Sequence, residues 1–137
     1  MMNLKVLVLE DNNLFYQLLK NKFDRYKKSQ FVKFTLAKTW RDGLDKYARD
    51  EFDLVLLDLF LPDSSGLNTV KRASKAFDLP IVILSSNDYS NELMFDCIRM
   101  GAQDFITKKV INPERMYRRF CFAKIRYENK FASLPIS

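Results

Sequence analysis

Five side chains far apart in the chain could do chemistry together: Glu10, Asp11, Asp58, Ser85 and Lys108. Each ends or directly follows an apolar run: KVLVL before Glu10-Asp11, LVLL before Asp58, IVIL before Ser85 and the short DFIT before Lys108. Three carboxylates brought to one spot repel each other, so the cluster is stable mainly with a cation present or with one acid protonated. Oxygen ligands alone, few in number, suit magnesium, which keeps several waters and prefers one or two carboxylates plus phosphate oxygens. A carboxylate, a hard cation, a hydroxyl and an ammonium together suit one task, holding a phosphoryl group on or near Asp58. The lysine would neutralise one phosphoryl oxygen, the serine would hydrogen-bond another, and magnesium would take a third.

That chemistry needs elements that deliver all five residues to one edge. The stretch at 54–66, LVLLDLFLPDSSG, is a continuous apolar run closed by turn residues, the pattern of a strand buried on both faces. Similar runs predict strands at Lys5–Leu9, Phe31–Ala37, Asp53–Asp58, Ile81–Leu84 and Asp104–Ile106. Between them lie helical stripes. The first carries Phe15, Leu18, Leu19, Phe23 and Tyr26 after an asparagine cap, the second Trp40, Leu44, Tyr47 and Ala48 after Thr39. A third helix is expected from Ser64 or Ser65, with Leu67, Val70, Ala73, Ala76 and Phe77 inward. A fourth is expected from Asp88 or Tyr89 to Met100, with Leu93, Met94, Cys97 and Ile98 inward. Asn112-Pro113 opens the last, with Met116, Phe120, Ala123 and Tyr127 on one face. Five alternations with short loops give a parallel sheet covered by helices on both faces through right-handed crossovers. In such a sheet ligands bind at the carboxyl ends of the strands.

The bulk properties exclude other classes. One domain is expected from 137 residues with 47% hydrophobic content. Three glycines and four prolines argue against disorder and against a glycine-rich phosphate loop. No apolar run approaches the roughly 18 residues of a membrane span, and MMNLKVLVLED lacks the marks of a signal peptide. Cys97 and Cys121 are too few for a disulfide framework, so the expected compartment is the reducing cytosol. The net charge of +6 is uneven: residues 1–107 balance at 15 basic and 15 acidic groups, while residues 108–137 hold eight basic and two acidic ones. That charge reads either as a solvated helix face or as a docking face for an acidic partner or for nucleic acid. Contact with nucleic acid is not expected, because a basic helix lacks a reading motif.

The marks VLVLED at 6–11, LVLLDLFLPDSSG at 54–66, IVILSS at 81–86 and GAQDFITK at 101–108 stand in order and at matching spacing. With them the chain resembles a response regulator receiver domain of two-component signalling, of the CheY-like superfamily, over roughly residues 3–125. The resemblance implies a flavodoxin-like α/β fold, a five-stranded parallel sheet of order 2-1-3-4-5 with five helices. It implies that Asp58 is the phospho-acceptor and that Glu10, Asp11, Asp58 and the backbone carbonyl of Phe60 hold Mg2+. It makes Ser85 the switch hydroxyl, Phe105 the switch aromatic and Lys108 the invariant lysine. The implied donor is a histidine kinase or histidine phosphotransfer protein. The implied readout is a face of helix 4, strand 5 and helix 5 that controls an output domain, a downstream protein or a homodimer. Phe60 and Asn87 would flank the phosphoryl group. Residues 1–125 would be the receiver, and 126–137 a helix extension or the start of a linker to an output domain.

One position departs from the pattern. The family usually has a cis proline after the lysine, and here Lys109 stands there. A cis bond without proline costs about 3 kcal/mol. Either surrounding contacts offset that cost or the bond is trans, and Lys108 is expected to reach the site. Two other classes share part of this pattern. A receiver-fold interaction module working without phosphorylation would use the basic C-terminal helix. A magnesium-dependent phosphohydrolase would need a second aspartate two residues after Asp58, where Phe60 stands. With no histidine, the chain cannot itself be a histidine kinase or phosphotransfer domain. The expected role is a signalling phospho-acceptor, not an enzyme with its own substrate.

Overall fold

A computed structural model describes residues 1–86 and 88–132 of the chain. Asn87 and the tail 133–137 lie outside the described residues, and with them the expectations for the Asn87 flank and the chain end. Five parallel strands form one sheet: β1 (Leu4–Leu9), β2 (Val32–Ala37), β3 (Leu54–Asp58), β4 (Ile81–Ser85) and β5 (Asp104–Thr107), in the order β2-β1-β3-β4-β5. The expected fold and strand order are present. The registers run without a slip: Val8 pairs with Leu36 and Leu56, Leu56 with Val82, and Val82 with Asp104. Every residue of β3 and β4 is buried, which is why both read as unbroken apolar runs. β2 lies at an edge and is only partly covered.

Five helices follow in alternation: α1 (Asn13–Asp24), α2 (Trp40–Arg49), α3 (Leu67–Ala76), α4 (Asn91–Arg99) and α5 (Pro113–Ala132). Alternate residues of the strands face opposite layers. Val6, Val8, Leu54 and Leu56 meet α1 and α5 through Leu19, Phe23 and Phe120. Leu7, Leu9, Val55 and Leu57 meet the other three helices through Trp40, Val70, Ala73 and Cys97. The two halves of the core thus lie on either side of β1 and β3. This leaves only the strand ends for polar chemistry.

The helix starts are set by side-chain caps. Asn12 Oδ1 accepts from Phe15 N at 3.1 Å, Thr39 Oγ1 from Asp42 N at 2.9 Å, and Ser90 Oγ from Leu93 N at 3.1 Å. The Ser90 cap delays α4 to Asn91, past the expected Asp88 or Tyr89. α3 likewise starts later than expected, at Leu67. Ser64–Ser65 instead pair antiparallel with Phe60–Leu61 in a two-residue hairpin, and Gly66 turns into the helix at φ 63°. Ser64 is buried in that hairpin because its hydroxyl bonds Thr69 Oγ1 at 2.8 Å. Phe31 belongs to a 3₁₀ turn, and β2 begins at Val32.

Three residues expected inward face out: Leu18 at 48%, Leu44 at 37% and Ile98 at 44% exposure. Ala48 is exposed as well. For α2 the reason is Gly43, where an added Cβ would stand 2.7 Å from Leu9 Cδ2. The helix backbone lies against β1 at that glycine, so the buried line runs Trp40, Gly43, Tyr47 and Leu44 turns away. Tyr16 and Tyr117 are buried beside the expected stripes. Among the described residues no helix is long and apolar enough to cross a membrane.

Candidate functional site

The sheet order places β1 and β3 side by side, so their carboxyl ends deliver Glu10, Asp11 and Asp58 to one crevice. Carboxylate oxygens of the three lie within 4.8 Å of one another. Glu10 is fully buried and Asp58 nearly so at 5% exposure, while Asp11 is open to solvent. Glu10 is held in place by a backbone bond from its amide to Ala37 O at 2.9 Å and by Asn12 N donating to Oε1 at 2.9 Å. Its other oxygen, Oε2, stands 2.6 Å from Lys108 Nζ in an ion pair whose angles fall outside hydrogen-bond geometry.

Lys108 comes from the loop after β5. Its amide donates to Ser85 O at 3.0 Å, which fixes the loop against β4. Its Nζ donates to Asp58 Oδ2 at 2.6 Å and stands 5.2 Å from the centre of the Phe15 ring. No described peptide bond is cis. The Lys108–Lys109 loop is therefore trans, and the ammonium still reaches the acids.

Burial drives the electrostatics. Desolvation pushes the Glu10 carboxyl up to about 7 against the ammonium of Lys108, and the neighbouring Asp58 charge adds to the rise. For Lys108, burial pulls the ammonium down, but its hydrogen bond to Asp58 and its ion pair with Glu10 outweigh that and hold it above its ordinary value. Three carboxylates against one ammonium leave two negative charges in excess when all are ionised. All the donors are oxygens. This donor set and charge fit a hard divalent cation, with Glu10, Asp11 and Asp58 as the holders.

Asp58 Oδ1 faces the other way. The Phe60 amide donates to it at 2.9 Å and the Tyr89 hydroxyl at 3.3 Å. Burial first, and then the Asp58 charge, raise the Tyr89 phenol well above its ordinary value, so it remains a donor. Phe60 is half exposed, and its ring meets the Tyr89 ring edge-on at 5.7 Å between centroids. The sequence offers Tyr89 only as a possible start of the fourth helix, and turn aromatics usually pack without touching chemistry.

Ser85 sits on β4 next to Leu84, the partner of Asp58 in the register. Its hydroxyl is buried and directed to Ile106 O at 3.4 Å. Phe105 is partly buried against the second core layer, and its carbonyl accepts from Arg119 Nη1 at 2.9 Å. The structure thus joins Glu10, Asp58 and Lys108 directly, sets Asp11 beside them, and seats Ser85 on the adjacent strand. Phe105 lies further along β5.

The chain matches the response regulator receiver domain family over residues 6–120. It belongs to that family. A putative two-component response regulator of Arabidopsis thaliana, ARR20, is 40% identical over 62 residues, a stretch covering 45% of this chain and 14% of that protein. The receiver domain of Francisella response regulator 1452 is 26% identical with a TM-score of 0.73, over 90% of this chain and 98% of that one. NtrX from Brucella abortus shares the fold at a TM-score of 0.74 and 23% identity, over 99% of this chain and 32% of that one. The receiver here thus spans a small part of the longer relatives.

Proposed function

We propose that this receiver accepts a phosphoryl group on Asp58 from the phosphohistidine of a histidine kinase or histidine phosphotransfer protein. The observation that carries the reading is the 2.6 Å bond from Lys108 to a nearly buried Asp58 carboxylate beside two further acids. A carboxylate oxygen of Asp58 forms a bond to phosphorus. The bond from phosphorus to the donor imidazole nitrogen breaks, and that nitrogen keeps the electron pair. Lys108, already at the carboxylate, neutralises a phosphoryl oxygen. Glu10, Asp11, Asp58 and the Phe60 backbone carbonyl would hold Mg2+, which supplies neutralisation of the charge on the transferred group. Phe60, half exposed at the rim, shields the product from water.

The same charge event biases the output face. The Ser85 hydroxyl exchanges its long bond to Ile106 O for a phosphoryl oxygen, and Phe105 turns into the space it leaves. The surface of α4, β5 and α5 then changes shape, a two-state element shifted by a local charge. A groove of about 560 Å³ on this face is lined by Ile106, Val110, Arg115, Arg119 and Phe122 among others. It is the proposed contact for an output domain, a downstream protein or a second copy. Two reduced thiols fit a cytosolic setting. Family membership favours this reading over a module that works without phosphorylation.

The test is intact mass after incubation with acetyl phosphate and magnesium. One phosphoryl group is expected on the wild type and none on Asp58→Ala or without magnesium. A folded wild type that gains no mass refutes the reading.

A further inference from the structure

Both oxygens of the proposed acceptor are occupied in this structure. Oδ2 is taken by Lys108, a group the transfer itself needs. Oδ1 is taken by two donors of different kinds, the Phe60 amide at 2.9 Å and the Tyr89 hydroxyl at 3.3 Å. The amide belongs to the backbone two residues away and moves only with the hairpin. Tyr89 is a side chain on the loop between β4 and α4, and it can leave by rotation about its own side-chain bonds.

Its ring does not stand alone. It packs edge-on against Phe60 at 5.7 Å and rests on the core layer formed with α2, α3 and α4. Phe60 is half exposed on the outer side. The two rings thus stand side by side, one on each loop bordering Asp58, while the hydroxyl ties one of them to the carboxylate.

We propose that Tyr89 is a latch: its hydroxyl ties an aromatic cover, Tyr89 with Phe60, onto Asp58 and slows phosphoryl uptake until the ring swings away. This rests on the reading of Asp58 as the phospho-acceptor. The hydroxyl withdraws electron density from the nucleophilic carboxylate and holds its ring beside Oδ1. Tyr89 is a positioning residue that contributes no atom to the transfer. With acetyl phosphate as donor, the Asp58 oxygen bonds phosphorus, the phosphorus–oxygen bond to the acetyl group breaks, and acetate leaves with the electron pair. The latch must open before that step.

The test compares wild type, Tyr89→Phe, Asp58→Ala and the double variant. Phenylalanine keeps the ring and its packing and removes the bond. Uptake from acetyl phosphate, followed by intact mass at fixed magnesium, is expected to be about tenfold faster in Tyr89→Phe, in line with losing one hydrogen bond at the weak end of the range for a charged acceptor. A second readout does not depend on phosphorylation. In magnesium-free buffer, Tyr89→Phe is expected to lower the melting temperature in the wild-type background and to leave it unchanged in Asp58→Ala, because the partner is gone. Two results overturn the latch: uptake by Tyr89→Phe at the wild-type rate while the wild type is modified on Asp58, or an equal thermal effect of Tyr89→Phe in both backgrounds. A wild type that takes up no phosphoryl group overturns the acceptor reading and the gating role with it. That result is distinct from failure of the latch alone, where the wild type is modified normally.

Discussion

Replacing Lys108 with methionine removes the ammonium that faces Glu10 and Asp58 while keeping an apolar stem over Phe15. The magnitude follows from the geometry. Two carboxylates within 4.8 Å repel by about 3.5 kcal/mol at an effective dielectric near 20. In the wild type, Lys108 offsets this from 2.6 Å on each side. Without it the cluster has another outlet, because burial already pushes the Glu10 carboxyl up to about 7 against the ammonium, and loss of the ammonium raises it further, so Glu10 takes a proton near neutral pH. That outlet caps the loss at roughly 2 kcal/mol, below the about 3–5 kcal/mol for stripping one partner from a buried pair that has no such outlet. For a domain of this size the melting temperature should fall by about 6 °C. The assay is thermal denaturation in magnesium-free buffer, repeated with magnesium and with sodium chloride. Magnesium should restore more stability in Lys108→Met than in the wild type, since it no longer competes with the ammonium for the same oxygens. Sodium chloride should restore little, because Glu10 and Asp58 are buried from the screening ions. A loss under about 0.5 kcal/mol, or equal rescue by the two salts at matched ionic strength, would refute the electrostatic account of the cluster.

Phe60→Ala should shorten the lifetime of the aspartyl phosphate several-fold, measured as loss of the added mass after donor removal; an unchanged lifetime would deny Phe60 its shielding role. Asp63 reaches from the hairpin turn to the first turn of α2, accepting from Trp40 N at 2.7 Å and Arg41 N at 3.0 Å. Asp63→Ala should therefore cost about 1 kcal/mol in urea unfolding at neutral pH, the usual value of a cap. Although desolvation opposes it, those two amides hold the Asp63 carboxyl below its ordinary 3.8. Its contribution is present above that value, so the gap between wild type and variant should close as pH falls below it. Burial, then the Asp96 charge, push the Cys97 thiol from 9.0 up to about 11. The folded state favours the neutral thiol, so in a Cys121→Ser background the remaining cysteine should resist Ellman's reagent at pH 8 until the protein is unfolded, and stability should decline as pH rises from 9 toward 11. Rapid native labelling at pH 8 would contradict the burial.

The acids were legible because a fully buried strand announces itself. LVLL and VLVL leave no polar residue until the sheet edge, so the first carboxylate after each run must lie at the ligand-binding end. Lys108 was less legible, because β5 is short, opens on Asp104 and is only partly buried; its place came from the resemblance of GAQDFITK to the receiver pattern. What escaped was set by side chains that act across the chain. α3 starts late because Ser64 finds Thr69 and builds a hairpin, a partnership invisible to a local reading of capping residues. α2 rotates Leu44 outward because Gly43 meets Leu9, a residue more than thirty positions earlier. Tyr89 joins the site through a loop conformation that no periodicity encodes.

The uneven charge takes on a different meaning once the C-terminal helix is in place. Sequence alone offers eight basic groups beyond residue 107 as one electrostatic face. Several are engaged within the fold. Lys108 is paired with Asp58 in the proposed phosphoryl site, and Lys124 bridges Asp53 and Glu128 at 3.2 and 2.8 Å. Arg119 and Arg126 donate to the carbonyls of Phe105 and Gln103, at 2.9 and 3.2 Å, and so bind α5 to β5 and the residue before it. These bonds tie α5 to the strand whose aromatic is the proposed switch. A change in β5 is then felt directly by α5, through guanidinium groups about two turns apart. Arg115 and Arg118 are exposed and line the groove, next to exposed Val110 and Phe122. A partner for that face must therefore combine acidic with apolar groups. A uniform polyanion would match the charge and leave the apolar half of the groove unfilled.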